Sequence, residues 1–145
     1  MLTCHDVADY FLSLTDEEAG DLISNLKLQK LVYYAQGYHL ALFDRPLFNE
    51  PINAWTHGPV VPVLYHRFKE YGAGAIPTPE SLDLTKIPTD VRELLDEVYD
   101  VLGQFSAWKL RNMTHEELPW LEAKDKPGNL IAQDSMREYF KTQLN

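Results

Sequence analysis

The stretch from residue 24 to residue 45 leaves a folding chain few choices. Leu28, Leu31, Val32, Ala35 and Leu42 recur at helical spacing and share one face. Tyr33, Tyr34, Tyr38 and Ala41 carry the apolar surface round the sides, and only Lys27, Gln29, Lys30, Gln36 and His39 are polar. A helix that is apolar almost all round belongs in the middle of a domain, with other elements laid over it. Ser24 is placed to cap it, since its hydroxyl can take a free amide of the first turn. Pro46 ends it at or before Arg45. The spacing therefore predicts a central helix over 26–43. At ~18 residues it approaches the length of a membrane span, but its lysines, glutamines and histidine are too costly in hydrocarbon, so no membrane insertion is expected.

What surrounds that helix is bounded by composition. With 145 residues, 45% of them hydrophobic and 12% aromatic, the chain can bury a substantial core as one domain over 1–145. The formal net charge of -9 sets an unfavourable field against a phosphate backbone, so nucleic acid is not an expected partner. The N-terminal MLTCHDVADYF has neither the basic region nor the apolar run of a signal peptide. Cys4 is the sole cysteine, which excludes an internal disulfide. These features point to a cytoplasmic protein.

Along the chain, Thr3 and Asp6 form a capping box for a first helix with Val7, Tyr10, Phe11 and Leu14 on one face. Thr15 before Asp16, Glu17 and Glu18 reads as a second helix start, ended by Gly20. The segments 46–48 and 52–56 flank Asn49, Glu50 and Pro51 as the arms of a small β-hairpin. Gly58-Pro59 is a turn, and Pro62 suits the first turn of a helix buried through Val61, Leu64, Tyr65 and Phe68. Residues 73–88 read as a surface loop. Thr89 then caps a helix with Val91, Leu94, Leu95, Val98 and Leu102 inward, ended by Gly103. Ser106 caps a short helix through Met113, Thr114 opens a capping box with Glu117, and a last helix over 133–143 packs through Met136, Tyr139 and Phe140. The expected fold is mainly α: one compact helical domain of five to six main helices around a buried central helix, with one small hairpin.

The chemistry-bearing residues admit two readings each. The turn of Trp55, His57, Gly58 and Pro59 holds an indole and an imidazole on a fixed backbone, either as a binding feature or as a structural corner whose Trp plugs the core. Thr114 and His115 with Trp120 either line a pocket or mark a capped helix start, with His115 paired to a nearby acid. His39 reads as a satisfied core histidine. Cys4, His5, His39, His57, His66 and His115 show no paired zinc spacing, so no metal or cofactor is expected. No nucleophile elbow or phosphate-cradling glycine loop appears, and no catalytic set assembles, so a non-enzymatic role is expected. Asp90, Glu93, Glu97 and Asp100 form an acidic stripe that is either a solvated face or a partner surface.

Several phrases in their order resemble the Panacea domain family, a phage-associated group found in toxin–antitoxin operons, whose relatives include SocA and GepA. They are Leu26-Lys27-Leu28-Gln29-Lys30-Leu31 with Tyr33-Tyr34-Ala35-Gln36, and Pro46-Leu47-Phe48. Next come Ala54-Trp55-Thr56-His57-Gly58-Pro59-Val60-Val61-Pro62 with Tyr65, and Gly103-Gln104-Phe105-Ser106. Thr114-His115-Glu116 and Pro119-Trp120 complete the set. The resemblance implies a compact, mainly helical antitoxin-type protein that binds and neutralises a toxin encoded beside it. A SocA-like alternative is a proteolytic adaptor that delivers a client to an ATP-dependent protease. A third reading, from the residues alone, is an enzyme using a His/Trp pocket.

Overall fold

The computed structural model describes residues 1–16 and 22–144. Among them are helices α1 (Cys4–Ser13), α2 (Asn25–Phe43), α3 (Pro62–Phe68), α4 (Thr89–Leu102), α5 (Ala107–Thr114), α6 (Leu118–Ala123) and α7 (Gln133–Lys141). Strands β1 (Asn53–Trp55) and β2 (Gly58–Val60) form one antiparallel ribbon, and single 3-10 turns cover Lys69–Tyr71 and Leu84–Lys86. No helix among the described residues is long and apolar enough to cross a membrane. The fold is mainly α with a small hairpin, as the sequence indicates.

The central helix forms where its pattern places it. Ser24 accepts the Lys27 amide at the N-cap, and Asp44 closes the C-terminus in the left-handed conformation at φ 56°. Leu28, Leu31, Val32, Tyr33 and Ala35 are fully buried. Leu42, grouped with them by spacing, is 49% exposed instead, while Leu40 and Ala41 beside it are buried. Burial extends to the polar side: Gln29, Lys30, Gln36 and His39 are buried as well.

Those polar residues are struts. Gln36 donates Nε2–H to the Phe48 carbonyl and accepts the Leu47 amide, both at 2.7 Å. Gln29 accepts the Val61 amide at 2.9 Å, and Lys30 donates to the Pro59 carbonyl at 3.0 Å. His39 meets the Arg45 carbonyl at 2.7 Å, the satisfied core histidine that the sequence predicts. Together these bonds fasten the segment 47–61 to α2.

α7 lies against α2 through Phe140, whose ring meets those of Tyr33, Tyr34 and Tyr38 at 5.6, 5.9 and 4.8 Å. Gly37 makes room for it: a Cβ there would stand 2.2 Å from the ring. α4 packs on α2 by Val91, Leu94, Leu95, Val98 and Leu102. Its outer side carries exposed Asp90, Glu93, Glu97 and Asp100, while Asp96 accepts a hydrogen bond from the Tyr10 hydroxyl.

The hairpin exists but lies later than expected. Trp55 pairs with Gly58, so Thr56 and His57 form the turn and residues 46–48 run as irregular chain tied down by Gln36. Gly58 decides this, since its φ of 109° is closed to L side chains. Nor is 114–117 a capping box. Thr114 is the last residue of α5, its hydroxyl donates to the Arg111 carbonyl at 2.7 Å, and α6 starts beyond it with Glu117 at the N-cap. α4 is preceded by Pro88 rather than capped by Thr89. Thr15 and Asp16 are not helical, and the rest of the helix start expected there, Glu17 to Gly20, lies outside the described residues.

Two substitutions test this packing. Leu31→Ala should cost about 2–5 kcal/mol by opening a cavity. Gly37→Ala should cost about 1–3 kcal/mol by driving a methyl group into Phe140. Both are read by urea unfolding; a loss below about 0.5 kcal/mol for Leu31→Ala would place α2 at the periphery, and one that small for Gly37→Ala would mean that Phe140 yields to the added methyl group.

Candidate functional site

The 47–61 segment, once pinned to α2, becomes one wall of an open groove of about 1070 Å³. Asn25 and Gln29 from α2, Trp55, Thr56 and His57 from the hairpin, and Tyr65 and Lys69 at α3 line it. Arg111 from α5 with His115 at its C-cap, Trp120 from α6 with Lys124 at its C-cap, and Asn129 line it as well. Arg111 and His115 are one helical turn apart, which puts both on one face of α5. His115 stacks flat on Trp120, with ring centres 4.0 Å apart at 11°. Trp120 donates its indole N–H to the Trp55 carbonyl at 2.8 Å, tying α6 to the hairpin. Trp55 is half-buried and meets Tyr65 edge to face at 5.1 Å; it is groove wall, not a core plug. Among the described residues His115 is paired with no acid, contrary to the capped-start reading.

Beneath the groove lies a buried polar layer. A Cβ at Gly58 would stand 2.6 Å from Lys30 Cε and 2.8 Å from Thr114 Oγ1, so glycine is what lets the lysine pass under the hairpin to Pro59. Burial, with a smaller push from Arg111, brings the Lys30 ammonium down to about 7. Glu117, also buried, accepts the Tyr33 hydroxyl at 3.1 Å and the Tyr34 hydroxyl at 2.7 Å. Burial lifts its carboxyl to about 7 against the pull of those two hydroxyls. Burial and then Arg111 lower His115, with Lys30 and His57 adding to the effect and the Thr56 carbonyl opposing it.

Five of the residues singled out by sequence thus line the groove: Gln29, Trp55, His57, His115 and Trp120. Lys30, Gly58, Pro59 and Thr114 form the layer under it, and Tyr33 and Tyr34 lie deeper with Glu117. Gln36 and Gln104 do not belong: Gln36 holds 47–48, and Gln104 is exposed with its Nε2 on the Val101 carbonyl at 2.7 Å. The sequence reading missed Arg111, Lys69, Lys124 and the buried role of Glu117. The spacing of Arg111 before His115 was a usable signal for the first. Glu117 was hidden because a buried carboxylate and a helix cap look alike in sequence. Among the described residues no three His, Cys, Asp or Glu side chains converge as metal ligands. Cys4 is buried and its thiol is pushed up to about 12, chiefly by burial, which removes it as a nucleophile.

The two buried ionisable groups make opposite predictions. Between about pH 7 and 10.5 the unfolded chain holds a proton on Lys30 that the folded chain has shed. Its contribution to stability therefore rises with pH there, by at most about 1.4 kcal/mol per unit. Glu117 holds its proton in the folded chain between 4.5 and about 7, so its contribution falls as pH rises through that window. In urea unfolding across pH 5–9.5, Lys30→Met should flatten the upper rise and Glu117→Gln the lower fall. Unchanged slopes would mean that neither group is buried as described.

Known proteins place this architecture. Residues 28–121 match the family model described as Antitoxin SocA-like, Panacea domain. Antitoxin SocA of Caulobacter vibrioides (strain NA1000 / CB15N) is 35% identical over 117 residues, covering 73% of this chain and 62% of that protein, so the chain spans less than two thirds of its relative's length. No solved structure matches. The match from 28 to 121 takes in most of α2, the hairpin, α3, α4, α5 and most of α6, the elements that build the groove and its floor, and the chain belongs to the SocA-like Panacea-domain family.

Proposed function

We propose that this chain is a non-enzymatic, cytoplasmic antitoxin-type protein that binds a toxin encoded beside it and neutralises it by covering the toxin's active surface. The observation that carries this reading is the likeness to a protein named Antitoxin SocA over 73% of the chain. The structure supports a binding role in a particular way. Among the described residues, neither His57 nor His115 is hydrogen-bonded to a carboxylate that would orient it as a base, and His115 Nε2 has no partner. The toxin surface is assigned to the outer side of α4, where Glu93, Glu97 and Asp100 are exposed and not built into the core. A standard interface of about 800 Å² per partner extends beyond this face onto the neighbouring loop 73–88.

Exposed faces change without disturbing a core, so they are where a partner is selected. In co-expression with the product of the adjoining reading frame, the wild-type chain should rescue growth. Glu93→Lys with Glu97→Lys should weaken toxin binding roughly tenfold, about 1.4 kcal/mol for the two charges, while the melting temperature barely moves. Full rescue by the double variant would remove α4 from the interface.

A second reading, the proteolytic adaptor, is favoured by one feature. The groove includes no residue of α4, so groove and acidic face are two separate surfaces, as a carrier between client and protease requires. It predicts a client half-life that shortens when this chain is expressed and recovers when the ATP-dependent protease is removed. Rescue with an unchanged client half-life supports direct occlusion.

A further inference from the structure

The groove carries chemistry that an acidic docking face does not. The chain has 22 Asp and Glu against 13 Lys and Arg. Yet among the described residues no acidic side chain lines the groove, whereas Lys69, Arg111 and Lys124 do, beside His57 and His115. Among the described residues Lys124 has one carboxylate within ion-pair distance, its exposed neighbour Asp125 at 3.4 Å, and its ammonium also lies 5.7 Å from the centre of the Trp120 ring. Among the described residues Arg111 and Lys69 have no carboxylate within ion-pair distance. The basic groups stand in one another's field: Arg111 holds down both Lys30 and His115, and His57 acts on His115 as well. Like charges gathered beside a low-dielectric floor repel, and an anion among them would relieve that repulsion.

A second observation points the same way. Among the described residues Arg111 Nε and His115 Nε2 are buried yet have no hydrogen-bond partner. Buried polar groups without partners are rare and costly, and two on one face of one helix can share one acceptor: Arg111 through its Nε–H, His115 in the tautomer or imidazolium that carries a proton on Nε2. The rest of the Arg111 guanidinium is already placed, with Nη1 on Asn112 Oδ1 at 2.9 Å and its centre 4.4 Å from the Trp108 ring.

The remaining walls say what the anion is attached to. The volume far exceeds that of a phosphate ion and suits a small organic ligand. A peptide laid down as an added strand has no main chain to pair with. The outer edge of β1 is occupied by residues 129–131, through Ala54 N–H to the Asn129 carbonyl and Ile131 N–H to the Ile52 carbonyl. Beyond β2, Lys30 and Gln29 take the Pro59 carbonyl and the Val61 amide. What stays available is cationic charge and aromatic surface. Proteins use that pair to hold nucleotides, with charge on the phosphate and a ring on the base.

We propose that the groove binds a nucleoside phosphate, with its phosphate against Arg111 and His115, Lys69 and Lys124 at the rim, and its base against Trp55 and Tyr65. This goes beyond the antitoxin reading and does not depend on it. The chain's net charge disfavours a polyanion, whereas a single nucleotide meets only the local field.

Calorimetric titration of the purified chain with AMP, GMP, UMP and CMP at low salt tests this. Inorganic phosphate, the free nucleosides and hexaglutamate serve as comparison probes. At least one monophosphate should bind roughly tenfold or more tightly than phosphate or its own nucleoside, quench tryptophan fluorescence, and weaken as salt is added. Arg111→Gln should weaken it by roughly tenfold, the scale of one charge-assisted bond. Lys69→Gln, at an exposed position, should weaken it less and remains readable if the arginine variant fails to fold by circular dichroism. The proposal is overturned if no monophosphate binds better than phosphate, if hexaglutamate binds as tightly as any nucleotide, or if the folded variants bind like the parent. Glu93→Lys with Glu97→Lys should leave nucleotide affinity unchanged, so loss of rescue and loss of nucleotide binding are separate results.

Discussion

Burying α2 on every side forces its polar side chains to find partners inside the protein, and much of the site's architecture follows from where they find them. Gln29, Lys30 and Gln36 have no water to turn to. Each would cost about 1–3 kcal/mol if left unmatched. The segment 47–61 supplies what they need, because an irregular chain has backbone carbonyls and amides not used by any helix. The exchange works in both directions: the helix satisfies a stretch that would otherwise be short of hydrogen bonds, and the stretch satisfies the helix. A hairpin of three-residue strands has little stability alone. Here it is held by side chains of the most buried element in the protein.

The opposite side of the same helix is fixed by different means. Phe140 enters at Gly37 and packs among three tyrosines. Two of those tyrosines turn their hydroxyls to Glu117 at the start of α6. That places α6, and α6 carries Trp120, which reaches the hairpin through its indole N–H. The groove is therefore closed by two chains of contact that both begin on α2: one through Gln29 and Lys30, the other through Tyr33, Tyr34, Glu117 and Trp120. A fault in either loosens the same wall.

Charge is distributed unevenly over this frame. Asp90, Glu93, Glu97 and Asp100 face outward on α4, while the basic side chains Lys69, Arg111 and Lys124 gather with two histidines around the groove. Separated in this way, one acidic protein can present two surfaces of opposite preference. The acidic face is the surface proposed for a protein partner, where electrostatic steering would speed the approach of a basic one. The groove, lined by rings and by these cationic groups, is the site proposed for a small anion.

The sequence by itself determined the central helix, its Ser24 cap, its stop before Pro46, and the inward faces of α3, α4 and α7. Local spacing encodes these, and no distant contact is needed to read them. It also singled out Trp55, His57, His115 and Trp120 as two separate features, joined only in the reading of a His/Trp pocket. Where tertiary contacts decide, it failed. The hairpin slid to 53–60 because Gly58 must pass over Lys30, a contact between residues far apart in sequence. Leu42 kept its helical phase but is left half exposed. Glu117 looked like half of a capping box until two tyrosines from α2 claimed its oxygens. Arg111, Lys69 and Lys124 come from three separate segments, and only the folding of α3, α5 and α6 around the hairpin gathers their charge in one place. Periodicity reports which way a residue faces on its own element; what it faces is settled only when the elements meet.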